Sequence, residues 1–340
     1  MKIVIVSDAW EPQVNGVVRT LRSVKAEIEA MSHCVALLTP DRFRSLPCPT
    51  YPEIRLALTA PDTIGRLIEA EQADALHIST EGPLGLAARR WCVRNGLAFT
   101  TAYHTQFPDY IQSRSGIPAR WTWRFIRWFH APSAAVLTST PTIRHELEAH
   151  GITHVRHWGR GVDLDCFHPD HAAPAAFANL PRPVQLYVGR VAVEKNIEAF
   201  LAARHPGTRV VVGDGPALEN LKRRFPDALF LGALSGSALA AAYAHADVLV
   251  FPSRTDTFGL VLIEALACGT PVAAYPVPGP LDVLTPATGC MNDDLHRAIA
   301  GALQLDRAAC RSYGQSFSWR ASAQQFLDGL SPLAAQRLAA

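Results

Sequence analysis

Apolar residues in this chain fall into short unbroken runs, separated by stretches where they recur every three or four positions. Unbroken runs suit strands buried on both faces, and the spaced pattern suits helices that cover them. The first run is 2–6, and a helical pattern follows over 17–30. Strand signals recur at 35–39, 74–79, 97–103 and 134–140, with helical patterns at 84–94 and 142–150. Residues 158–183 are rich in Pro and Ala, show no period and read as a hinge. Strand signals then restart at 184–189, 208–213, 229–232, 247–252 and 271–275, again with helices between them. This predicts an α/β chain of two doubly wound Rossmann-like domains, each with a parallel sheet. The expected divisions are 1–165, 166–315 and a helical tail at 316–340. Ligands of such sheets bind beyond the carboxyl ends of the strands, here in the cleft between the halves.

Composition narrows the class. At 340 residues, 49% hydrophobic and 18% charged, the chain can fill two ordinary cores. A net charge of +2 says nothing about partners, and no nucleic-acid partner is expected. The charge is uneven, however: between Glu81 and Glu146 stand eight arginines and the single acid Asp109. That segment reads as a solvated helix face or as a surface for a polyanion such as acidic lipid headgroups. Seven cysteines without a CxxC pair read as reduced thiols of a cytoplasmic protein. The opening MKIVIVSDAWEP is too short an apolar run for a signal peptide, and no stretch approaches the roughly 20 apolar residues of a membrane span. Any use of a membrane is expected at its inner face.

The chemistry concentrates in 251–281, where Asp256 and Glu264 stand eight positions apart. Asp256 follows a strand, and Glu264 lies a turn or more into the next helix. Between them, Phe258, Gly259 and Leu260 would offer free amides at a helix N-terminus, a setting that favours an anion. An acid at the mouth, an amide cradle and a second acid further in suit a sugar–diphosphate–nucleoside. Arg190 and Lys195 follow an earlier strand, five positions apart, and are spaced to converge on one diphosphate. Gly16 follows the first strand and permits close backbone approach to a ligand. Asp163-Leu-Asp165 imitates a metal-binding DxD, but it lies at the hinge and is read as no metal site.

These residues carry a family resemblance. The stretch 256–264 resembles the acid-x7-acid motif of the retaining family-4 glycosyltransferases, which have the GT-B fold. Their usual first residue is Glu; Asp256 is one methylene shorter. The series VGR, EKN, GDGP, FG and EA occurs here in the family's order, and the likeness runs from SDAWEPQVNGV to FSW. The wording SRTDTFG is similar to a subgroup containing sulfoquinovosyl-diacylglycerol synthases, bacterial glycosyl-diacylglycerol synthases and GDP-mannose-dependent mannosyltransferases. The resemblance implies that Arg190 and Lys195 hold the diphosphate, Glu264 the ribose and Asp256 the donor sugar. Asp214 of GDGP and Gly16 join the donor set. It also implies that His104, in a stretch resembling YHTDFPxY, shapes the reaction centre. Tyr103, His77 and Glu81 are candidates for the acceptor side; for His77 and Glu81, core packing and helix capping are the competing readings. A final helix crossing back to the first domain is a family habit expected of the tail.

The implied reaction is transfer of a hexose from a nucleotide-diphosphate sugar to a hydroxyl with retention, by front-face substitution, without a cofactor or divalent metal. The expected donor is UDP-glucose or UDP-glucuronate, and the expected acceptor is a lipid such as diacylglycerol. The alternatives are GDP-mannose-dependent or other hexosyl transfer to a saccharide or polyprenyl-linked acceptor, a sugar-nucleotide-binding protein without transfer, and an epimerase. The lipid reading leans on 120–131, where Arg120, Arg124 and Arg127 interleave with Trp121, Trp128 and other aromatics. Such a run reads either as an interfacial helix or as a helix packed on all sides.

Overall fold

The computed structural model describes residues 1–13, 15–48, 51–104, 118–203 and 205–333, and all counts below refer to these. The chain forms two compact units: Met1–Gly159 with Trp319–Ala340, and Arg160–Ser318. The sequence-based divisions fell at 165/166 and 315/316.

In chain order the first unit contains β1 (Lys2–Val6), α1 (Gly16–Ala30), β2 (Cys34–Leu38), β3 (Ser45–Cys48), β4 (Tyr51–Ala57), α2 (Pro61–Ala70) and β5 (Ala75–Ile78). It continues with α3 (Pro83–Arg94), β6 (Thr100–Ala102), α4 (Ala119–His130), β7 (Ala135–Thr138), α5 (Pro141–Ala149) and β8 (Val155–His157). The second unit contains β9 (Val184–Val188), α6 (Ile197–Ala202), β10 (Thr208–Val212), α7 (Leu218–Arg224), β11 (Leu229–Gly232), α8 (Gly236–His245) and β12 (Val248–Phe251). After these come α9 (Leu260–Ala267), β13 (Val272–Ala274), α10 (Pro280–Val283), β14 (Gly289–Met291), α11 (Leu295–Ala302) and α12 (Arg307–Gly314). The last helix, α13 (Trp319–Gly329), belongs to the first unit.

Each unit is built on a six-stranded parallel sheet, ordered β2-β1-β5-β6-β7-β8 in the first and β11-β10-β9-β12-β13-β14 in the second. β1 shows why the strands read as unbroken apolar runs. Val4 and Val6 face the core under α2 and α3, while Ile3 and Ile5 face the core under α1 and α13. All four are fully buried, so period-two alternation has no polar face to display. On the α13 side, Phe326 and Ala323 pack with Leu21, Val24 and Trp158. Burial of such an aromatic contributes about 2–3 kcal/mol, which anchors the tail in the first unit.

Four strands had no signal in the sequence. β8 and β14 are three residues each, and neither lies in a longer apolar run. The antiparallel hairpin β3–β4 carries proline in both strands, which reads as breakage.

Candidate functional site

β9 and β12 are hydrogen-bonded neighbours, yet the strand order runs outward from them in opposite directions. Loops leaving the ends of such a pair diverge and open a crevice. The loop after β9 brings Arg190 and Lys195, and the loop after β12 brings Ser253 and Asp256. Lys195 Nζ meets Asp256 Oδ1 at 2.5 Å, with about a quarter of each side chain exposed. Asn196, in the left-handed region at φ 53°, donates from Nδ2 to Pro252 O at 3.1 Å and ties the two loops together. Beneath them the Tyr187 hydroxyl donates to Arg190 O at 2.8 Å. Arg190 is half-buried.

Burial is the largest influence on Asp256 and pushes its pKa up. The Lys195 charge and hydrogen bond, helped by Ser253, overcome it and hold the carboxyl below the usual range. Asp256 is therefore a carboxylate at neutral pH. Its Oδ2 is buried and has no hydrogen-bond partner among the described residues, so one acceptor oxygen is left to bind a hydroxyl. Burial, then Asp256 and Glu194, raise Tyr187 well above the ordinary phenol value and keep it neutral.

α9 starts beside this pair. Its N-cap Gly259 supplies no side-chain cap to the first-turn amides. Phe258 is buried in the core and pins the turn. Gly279, at φ 87°, lets the loop after β13 close on this turn: a Cβ there would lie 3.0 Å from Phe258 O and 3.2 Å from Asp256 O. Arg254 stacks on Tyr275 at 3.7 Å between the same two loops. One turn into α9, Glu264 is only 3% exposed, and its Oε2 accepts the Tyr243 hydroxyl at 3.0 Å. The GDGP loop follows β10 and is a backbone seam. A Cβ on Gly213 would fall 1.8 Å from Gly189 O, and Val191 N donates to Asp214 O at 2.8 Å. Asp214 itself is exposed and accepts Gly215 N at 2.7 Å, so here the pattern's part is to fix the Arg190 loop.

In the first unit, Gly16 is exposed and opens α1, capped by Asn15 Oδ1 accepting Val18 N at 3.0 Å. His104 follows β6, is half-buried, and lies 3.0 Å through Nε2 from Ser79 Oγ, with its ring against Trp158. The rest of its motif, 105–110, lies outside the described residues. The acceptor-side candidates sit deep in the first unit. His77 is fully buried, edge-on to Phe326 and Trp158, with Nδ1 2.9 Å from Thr100 Oγ1. Tyr103 is fully buried and stacks with Trp123. Glu81 is buried beyond the strand end, its Oε1 3.4 Å from buried His130 Nε2. His77 and Tyr103 are thus held in the core of the first unit, while Glu81 faces His130. Asp163 of the DxD accepts Asp165 N and Cys166 N at 3.1 and 3.2 Å, which makes it a turn former.

Comparison with known proteins places this geometry. The family descriptions Glycosyltransferase Family 4 and Glycosyl transferases group 1 match residues 14–166 and 182–305. A GDP-mannose-dependent alpha-mannosyltransferase of Mycolicibacterium smegmatis is 32% identical over 341 residues, covering 92% of this chain and 91% of that protein. The chain belongs to glycosyltransferase family 4. An alpha-monoglucosyldiacylglycerol synthase of Streptococcus pneumoniae is 27% identical over 81% of this chain and 71% of its own length. Among solved structures, sucrose-phosphate synthase from Thermosynechococcus elongatus has a TM-score of 0.73 at 25% identity, covering 99% of each chain. The fold is GT-B, and the protein is an enzyme that transfers a sugar from a nucleotide sugar.

Three features of this family-4 enzyme have tasks that the sequence did not show, although Asn196 lies in the EKN motif and Asp8 in the SDAWEPQVNGV stretch. Tyr243 orients Glu264 from another helix, and Asn196 bridges two loops. The third is Asp8, whose carboxylate caps α3: it accepts Leu84 N at 2.8 Å, Gly85 N at 3.2 Å and the Thr80 hydroxyl at 2.8 Å. Each depends on a partner distant in sequence.

His77 carries a testable pH signature. Burial lowers its pKa from 6.5 to about 3. The unfolded chain therefore takes up a proton between those values while the folded chain does not, so stability falls as pH drops below 6.5. The slope from this residue is up to about 1.4 kcal/mol per pH unit. Urea midpoints between about pH 6 and pH 5 should show a shallower slope for His77→Asn than for the natural protein; parallel slopes would contradict a buried neutral His77.

Proposed function

We propose that this enzyme transfers a hexose, with retention of the α configuration, to the hydroxyl of a membrane lipid such as diacylglycerol. In this reading Lys195 and Arg190 take the diphosphate, the amides at the start of α9 share its charge, and Asp256 Oδ2 binds a sugar hydroxyl. Glu264, oriented by Tyr243, takes the ribose. Positioning and electrostatic stabilisation of the leaving diphosphate supply the catalysis. Retention follows when the acceptor hydroxyl attacks the face that the phosphate leaves and passes its proton to that phosphate. His104 contributes to shaping the reaction centre. GDP-mannose is placed ahead of UDP-glucose or UDP-glucuronate as donor, on the weight of the mannosyltransferase relative.

The observation that carries the lipid acceptor is the outer face of α4. Thr122, Trp123, Ile126, Phe129 and His130 are buried, so the helix is packed on one side only. Its other side exposes Arg120, Arg124 and Arg127 with Trp121, Phe125 and Trp128, and the helix contains no acid. Arg89 donates to Trp128 O and Phe129 O at 2.6 and 2.8 Å and stacks on the Trp128 ring at 3.8 Å, so that ring is held in place. Cations at headgroup level with aromatics at the acyl boundary suit an anionic bilayer surface, about 1 kcal/mol per cation.

Labelled GDP-mannose, UDP-glucose and UDP-glucuronate should be offered with diacylglycerol in phosphatidylglycerol vesicles and, separately, with soluble saccharides. One donor is expected to label the lipid in α linkage; label in saccharide alone would overturn the lipid reading. Arg120/Arg124/Arg127→Ser should release most of the protein from those vesicles without lowering its melting temperature, and the natural protein's binding should weaken as salt rises. Loss of stability without loss of vesicle binding would count against α4 as the docking face. With Arg190 and Lys195 supplying the positive charge, EDTA should leave activity largely unchanged. Abolition by EDTA, reversed by magnesium or manganese, would contradict the metal-free reading.

A further inference from the structure

At the opposite edge of the second sheet, where β9, β12 and β13 begin, lies a cavity of about 380 Å³. Arg182, Asp247 and Arg307 line it, with apolar wall from Pro183, Leu303 and Leu305. The donor loops leave the other ends of these strands, and the five residues of β9 set the two places roughly 16 Å apart. None of the residues assigned to transfer lines this cavity.

Its charges are unevenly matched. Arg182 Nη2 and Nε hold Asp247 Oδ1 at 2.6 and 3.2 Å, and Nη2 also reaches His245 O at 3.2 Å. Asp247 Oδ2 accepts Val184 N at 2.5 Å, so both carboxylate oxygens are occupied. Arg307 has no carboxylate within ion-pair distance among the described residues. It donates to Ala246 O, Ala244 O and Thr270 Oγ1 at 2.6, 2.7 and 3.3 Å. Burial is the largest influence on its pKa and lowers it, while the charge of Asp247, beyond ion-pair distance, acts the other way. Arg182 Nη1 and Arg307 Nε donate to no described residue. The result is a recess with two guanidinium groups, one occupied carboxylate and apolar walls, which matches an anionic head on an apolar body.

The recess is also wired to the donor site. Arg307 donates to Thr270 Oγ1, Thr270 donates to Tyr243 O at 2.6 Å, and the Tyr243 hydroxyl donates to Glu264. Arg307 further caps the end of α8, the helix that carries Tyr243.

We propose that this recess is a second ligand site for a small amphiphilic anion, with a phosphomonoester or carboxylate head, coupled through Arg307, Thr270 and Tyr243 to Glu264. The coupling, though not the site, rests on the reading of Glu264 as a nucleotide contact. Occupancy draws Arg307 toward the anion and loosens its hold on Thr270, and that change reaches the carboxylate through Tyr243.

Phenyl phosphate serves as the probe, with inorganic phosphate as the head alone. Calorimetry should use the natural protein and Lys195→Ala, whose diphosphate cradle is impaired. Phenyl phosphate is expected to bind both equally, and inorganic phosphate at least tenfold more weakly. Arg182→Gln, a change at a largely exposed side chain, should weaken phenyl phosphate at least tenfold with an unchanged melting curve. Absence of binding to Lys195→Ala, or undiminished binding to Arg182→Gln, overturns the site. For the coupling, saturating phenyl phosphate should shift the Kd of GDP or UDP by about fivefold or more. Thr270→Val keeps the side-chain shape and should remove that shift while still binding the probe. An unshifted Kd in the natural protein overturns the coupling. Failure of both nucleotides to bind overturns the donor-site reading and the coupling with it, whereas the Lys195→Ala titration judges the recess independently.

Discussion

Lys195→Ala is expected to lower kcat by about a hundred- to a thousandfold, the usual cost of removing one donor aimed at developing charge. On the proposed reading Lys195, in the loop after β9, faces the departing diphosphate, and its ammonium is a compact charge. Loss of its 2.5 Å contact also changes Asp256. Burial then acts on that carboxyl without its main opposing influence, so the Asp256 pKa rises. The acid limb of the kcat/KM profile should accordingly move to higher pH in Lys195→Ala. Arg190→Ala should show a comparable fall in kcat without that displacement, because the influences that hold the Asp256 pKa down come from Lys195 and Ser253. A melting curve accompanies both variants, since the fold is expected to persist. Near-normal turnover in either variant would remove that residue from the diphosphate clamp.

The two acids should separate binding from transfer. Glu264→Gln is expected to weaken free nucleoside diphosphate by about tenfold or more, because on the proposed reading a charged partner of the ribose is lost at a buried position. Its Tyr243 hydrogen bond survives in the amide, so stability should change little. Asp256→Asn should leave nucleotide affinity near normal and lower transfer by about a hundredfold or more, as Lys195 loses its partner and the sugar loses a charged acceptor. Calorimetry with nucleotide alone, set beside steady-state kinetics with the full donor, measures both. Equal loss of nucleotide affinity in the two variants would sink the division of labour.

Much of this was legible along the chain. The strand and helix alternation, the restart after the hinge and the series from Gly189 to Glu264 depend on local properties: apolar runs, helix starts and glycines where backbones approach. Local properties leave a mark on adjacent letters. A motif such as GDGP can therefore be recognised without its structure, although its physical task, seating one loop on Gly189 and Val191, cannot be read from it. The same limit applies to the acceptor-side candidates. His77, Tyr103 and Glu81 all sit at or beyond strand ends, as binding residues do, but which way each side chain points is set by the helices laid over the sheet.

The sequence by itself determined the class of fold, the two-unit plan and the family, because each rests on short-range pattern or on an ordered series of motifs. Tertiary structure alone decided the pairing of Lys195 with Asp256 across 61 positions of chain, the hydrogen bond from Tyr243 to Glu264 and the capping of α3 by Asp8. It also decided that α4 is buried on one side and bare on the other. Its composition suits a buried or an interfacial helix equally well, and only the neighbours that cover Trp123, Ile126 and Phe129 leave Trp121, Phe125 and Trp128 to solvent. Burial and pairing are properties of what folds against a residue, and that information is spread over the whole chain.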